Sequence, residues 1–162
     1  METYQPAKAL KVLKILHWGL MSGPIFFSIF AIAMITSSDQ SQLIDTENIL
    51  SFLPISFAVM LIPGSYFLFS TGLKERVDKE SELSAKIAAY QTAHIIRMAV
   101  LEGTALFAIV GAFVSNTYAN FTALFFVLLV MVLVTPSPFK LMESLQLSRS
   151  ELEALGAEDG IE

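Results

Sequence analysis

Glu102 is the one carboxylate set within a long apolar run of this sequence, and Arg97 lies five residues before it. On a helix that spacing is roughly 7.5 Å of depth at 1.5 Å per residue. A carboxylate in hydrocarbon must pair, accept hydrogen bonds or take up a proton, and ionisable groups so placed are functional candidates. At 100° per residue Glu102 lies about 60° from Ala99 and about 140° from Arg97. Glu102 is therefore expected to point toward the bundle or a neighbouring subunit, away from an ion pair with Arg97, which would snorkel to headgroups or answer another helix. Two readings of Glu102 stand. In one it carries an ion or proton; in the other it is protonated or hydrogen-bonded to Ser22, Thr104 or a backbone carbonyl and fixes helix packing. His17 and His94 are the two histidines. They could ligate a haem b between helices, relay protons to Glu102, or act as hydrogen-bonding residues near the membrane surface. No HExxH, nucleophile elbow, phosphate loop or paired-carboxylate metal motif occurs, and there is no cysteine, so the pattern points away from an enzyme and from a metal site.

Positioning such residues requires elements that cross a bilayer. Of the 162 residues, 54% are hydrophobic and 15% charged, against about 25% charged in a soluble domain. The mean hydropathy is +0.64. The apolar residues gather into four runs, expected as spans over 16–36, 48–70, 87–115 and 118–135, with segments 1–15, 71–90 and 136–162 outside them. The runs are apolar all round, which excludes the alternation of a barrel. The fold class that follows is all-α: an integral membrane four-helix bundle. All ten Lys and Arg residues fall on one side of it, whereas the loop Ser37 to Glu47 carries Asp39, Asp45 and Glu47 and no cation. By the positive-inside rule both termini are cytoplasmic in the inner membrane, and the first span reads as an uncut signal-anchor. A net charge of −5 argues against nucleic acid as a partner.

Leu73, Val77, Leu83, Ile87 and Tyr90 recur at helical spacing, and Glu75 with Lys79 and Glu82 with Lys86 make i,i+4 pairs, so the connector is expected to be helical. After Pro136 and Pro138, the capping pattern Ser148-Arg-Ser-Glu151 should open a short helix before an acidic tail. Trp18, Tyr4 and Tyr90 read as an aromatic belt on the cytoplasmic side. Offsetting the chain by 80 residues aligns Gly19 with Ala99, Gly23 with Gly103 and Phe27 with Phe107, a pattern of two tandem, parallel-repeat hairpins. The same offset sets His17 against Arg97, which would leave the histidines about a turn apart in depth. Gly19 and Gly23, with Ala99 and Gly103, remove side-chain bulk, so the first and third helices are expected to cross there. Pro54, Pro63 and Gly64 imply a kink or broken turn in the second span.

The stretch Tyr90-Gln-Thr-Ala-His-Ile-Ile-Arg-Met-Ala-Val-Leu-Glu-Gly-Thr-Ala-Leu-Phe107 resembles the third span of a group of small, uncharacterised four-span bacterial membrane proteins. Within it, Ala99-x-x-Glu102-x-x-Ala105-Leu106-Phe107 is similar to the ion-carrying helix of rotary ATPase proteolipid subunits. That resemblance implies that Glu102 binds and releases a proton or sodium ion. The residues themselves favour a non-enzymatic membrane subunit or self-associating helix-packing module. Its partners would be the lipid bilayer and either copies of itself or other membrane subunits, with no cofactor. An ion- or proton-translocating protein, with Arg97, His17 or His94 tuning Glu102, and a haem b electron-transfer subunit are the alternatives.

Overall fold

The computed structural model describes residues 6–77 and 82–147, and the regular elements among them are helices. They are α1 (Pro6–Thr36), a single 3-10 turn (Ile49–Ser51), α2 (Leu53–Val77), α3 (Leu83–Ser115), α4 (Asn120–Leu133) and α5 (Pro138–Leu145). The helices α1, α2 and α3 are each long and apolar enough to cross a membrane. The fourth run behaves differently. α4 has 14 residues, and α5 leaves it at an angle of 81°. Pro136 lacks an N–H and disfavours helical geometry at Thr135, which ends α4. Ser137 then caps α5, its Oγ accepting from the Lys140 backbone N–H at 3.2 Å, with Pro138 in the first turn. This helix falls inside the segment expected as a cytoplasmic tail. The helix expected from Ser148 lies outside the described residues.

α3 is the hub, packing against α1, α2, α4 and α5. Its buried stripe, including Met98, Leu101, Ala105 and Ala108, meets Ala58 of α2 and Leu124, Val127 and Met131 of α4 in the central core. A second core lies toward the chain end of α5, where Leu141 and Leu145 cover Leu13, Leu73, Ile87 and Tyr90. The connector is thus an extension of both helices, α2 to Val77 and α3 from Leu83. Tyr90 is 2% exposed and belongs to this core, so it is no belt residue.

At the opposite end, the loop after α1 is tied to the α3–α4 turn by two backbone bonds. Gln42 N–H donates to the Asn116 carbonyl at 3.2 Å, and Tyr118 N–H to the Gln42 carbonyl at 3.1 Å. Asn116 ends α3 in the left-handed region (φ 52°), a conformation Asn tolerates better than most residues. Its side-chain amide donates to Ser38 Oγ at 2.9 Å.

The close approaches are not where the sequence places them. A Cβ at Gly19 or Gly103 would meet nothing within 4 Å, and Ala99 and Gly103 face outward into a groove beside Phe57, Leu61 and Phe107. At Gly23 the nearest atom is the Glu102 carboxylate, 3.5 Å from the position of a Cβ. The tight contact is instead Gly111, where a Cβ would stand 2.5 Å from Pro54 Cγ and 3.0 Å from Asn120 Nδ2. Pro54 sits in the first turn of α2, where a missing N–H costs no helical bond, and it packs the α2–α3 contact without kinking a helix. Pro63 and Gly64 lie within α2, which continues through them as one helix.

Candidate functional site: a buried polar cluster

Helices α1 and α3 bring the two histidines together. His17 Nδ1 and His94 Nε2 are 3.2 Å apart, with the side chains 1% and 2% exposed. The expected difference of a turn in depth is absent, because His17 faces His94 and not Arg97. His17 Nε2 lies 3.1 Å from Thr135 Oγ1, and Thr135 donates its hydroxyl to the Val132 carbonyl at 2.7 Å. That last bond assigns the protons. The Thr135 oxygen has given its one hydrogen away and accepts from His17 Nε2–H. Neutral His17 then has a bare Nδ1, which accepts from His94 Nε2–H. The result is a one-way chain, His94 to His17 to Thr135 to Val132, joining α3, α1 and the end of α4. Tyr90 stacks on His94 with an interplanar angle of 6° and a centroid distance of 6.1 Å. A metal between two imidazoles would hold their nitrogens about 4 Å apart, at about 2 Å each. The direct 3.2 Å contact between these rings leaves no such gap.

Arg97 lies one turn further along α3. Its guanidinium carbon stands 5.5 Å from the Tyr66 ring centroid and 5.4 Å from that of Phe69, so it answers α2 through cation–π contact. Its Nε is buried without a hydrogen-bond partner. Lys140, in the first turn of α5, donates through Nζ to the carbonyls of Leu133 and Thr135, closing the end of α4. Between these residues lies a cavity of about 390 Å³.

No family model, curated protein or solved structure matches this chain.

Glu102 is half-buried in the seam between α1 and α3, against Gly23. The hydroxyls expected to answer it are committed elsewhere: Ser22 Oγ donates to the Gly19 carbonyl at 2.7 Å and Thr104 Oγ1 to the Val100 carbonyl at 2.7 Å. Among the described residues no group donates to the Glu102 carboxylate, and neither histidine contacts it. The structure thus brings His17, His94 and Arg97 into one region and leaves Glu102 apart from them. Thr135, Tyr66 and Lys140 join this region without standing out in the sequence as site residues. Of these, Thr135 carried a signal, being a hydroxyl next to a proline at a helix end.

Proposed function

We propose that this chain is a non-enzymatic integral membrane protein of the inner membrane, with both ends cytoplasmic, working as a small subunit that another membrane chain or a second copy completes. The observation that carries this reading is Glu102. An ionisable group near the centre of a span costs about 3 kcal/mol on insertion scales. Here the carboxylate is half-buried with no donor from its own chain among the described residues. A donor from a neighbouring helix along the α1–α3 seam offsets that cost, and Gly23 keeps the approach to the carboxylate open. The three long apolar helices and the one-sided cations support the membrane placement and its orientation. The test is native mass spectrometry of the chain extracted mildly from its own membranes. An assembly heavier than the 17.8 kDa chain, lost in Glu102→Leu, is the expected result. A monomer in both proteins refutes the reading.

The same unpaired carboxylate supports a second reading, in which Glu102 carries a proton or sodium ion as the resemblance to proteolipid helices implies. Carbodiimide labelling at Glu102 that persists above pH 6 and that sodium suppresses would favour it. An unlabelled Glu102 at every pH would remove it.

A further inference from the structure

The cavity beside Arg97 is built like an anion site. Arg97, Lys74 and Lys140 line it against one carboxylate, Glu143, and Ser144 and Tyr66 add hydroxyls, the Ser70 hydroxyl being given to the Phe67 carbonyl. Its volume of about 390 Å³ falls in the range of small-ligand pockets, about 300–1,000 Å³. Most telling is how the guanidinium is held. Tyr66 and Phe69 engage it as rings, and a cation–π contact uses the guanidinium face while leaving its N–H edge available. Arg97 has no carboxylate partner among the described residues, and its Nε is buried and unsatisfied. Arg carries five donors in a fork that matches two oxygens of one anion. Lys140 has three donors and commits two of them to the carbonyls of Leu133 and Thr135, so one remains. The geometry points to this cavity as a binding site for a phosphate-type anion, gripped by the Arg97 fork with Lys140 and Lys74 supplying further charge.

Two sources provide that chemistry, an anionic lipid headgroup and a free phosphate. Leu133 in the cavity lining is largely exposed and apolar, which suits acyl chains running away from a headgroup. The proposal goes beyond the pairing of Glu102 and shares with it only the placement in a membrane. The free-phosphate arm of its test, run in detergent, stands without that placement.

The test is thermal unfolding of the full chain in a non-ionic detergent, titrated separately with phosphatidylglycerol, phosphatidylcholine and sodium phosphate. Wild type is compared with Arg97→Gln, Lys140→Gln and the exposed control Lys11→Gln, each read against its own unliganded protein. Saturable stabilisation by phosphatidylglycerol alone, weakened roughly tenfold or more by Arg97→Gln and unchanged by Lys11→Gln, supports the site with a lipid as its source. Stabilisation by sodium phosphate beyond matched sodium chloride, with the same dependence on Arg97, supports it with a free anion. Should Arg97→Gln fail to fold, Lys140→Gln carries the comparison, with an expected weakening of roughly threefold or more. If no titrant stabilises the protein, or if the cavity variants respond as wild type does, the proposal is overturned.

Discussion

Gly111→Ala tests the packing that sets α2 and α4 on α3. The added Cβ would stand 2.5 Å from Pro54 Cγ, where carbon atoms prefer about 3.5–4.0 Å. The overlap of roughly 1 Å falls on a buried proline ring, which has no rotamer to yield, and overpacking of this kind costs about 1–3 kcal/mol. The same Cβ presses at 3.0 Å on Asn120 Nδ2, which donates to the Leu50 carbonyl at 2.7 Å. Displacing that buried bond adds about 1 kcal/mol. The helix propensity of alanine returns about 1 kcal/mol. The net expectation is destabilisation of about 2 kcal/mol, read from unfolding by sodium dodecyl sulfate titrated into mixed micelles. Gly103→Ala is the matched control, since nothing lies within 4 Å of its Cβ; it should be neutral or slightly stabilising. Pro54→Ala in the Gly111→Ala background should recover part of the loss as a coupling between contacting sites. A Gly111→Ala protein as stable as Gly103→Ala would refute the contact.

Other outcomes follow from the same structure. Nitrogen-15 NMR of the imidazoles should show the Nε2-protonated tautomer on both His17 and His94, and Thr135→Val should cost about 1 kcal/mol by removing the hydroxyl that accepts from His17 Nε2; an Nδ1-protonated His17 would break the chain. Leu141→Ala, at a side chain 1% exposed, should cost about 2–5 kcal/mol if the site stays docked. Release of α5 would cap that loss, so amide exchange should accelerate over 138–145 while the central core is unchanged; uniform acceleration would show that α5 is no separable cap. In intact cells, Thr46→Cys should react with an impermeant maleimide and Lys11→Cys only after permeabilisation; the opposite pattern would invert the proposed orientation.

Sequence patterning was informative where one dimension suffices. The apolar runs before Thr36, Val77 and Ser115 mark α1, α2 and α3 because lipid-length helices are continuous in sequence. The helical continuation of the connector also showed in the spacing of Leu73, Ile87 and Tyr90. What did not show depends on how helices are laid side by side. His17 and His94 are 77 residues apart, and no periodicity reports that they share a depth. The glycines at 19 and 103 carry the commonest packing signature yet face open space, while Gly111, in no such motif, makes the contact, because a proline ring from another helix happens to lie opposite. Pro136 and Pro138 read in sequence as a stop; in the structure they are a stop and a restart, with Ser137 as the cap between them. The separation of Glu102 from Arg97 around α3 did follow from helical angles alone.

The shortness of α4 gives this protein a thick side and a thin side. Its 14 residues extend about 21 Å at 1.5 Å per residue, against a hydrocarbon core of about 30 Å. In the proposed membrane placement, lipids along α4 face a shortfall of about 9 Å, and mismatch costs fractions of a kcal/mol per Å. The bilayer there must dimple, or the gap must be filled by a neighbour whose own crossing is short. Long-chain lipids are disfavoured on that flank and tolerated beside α3, whose 33 residues exceed any bilayer core. In that placement the molecule would carry a compass in the plane of the membrane: local thickness, before any specific contact, would select which of its faces a neighbour meets.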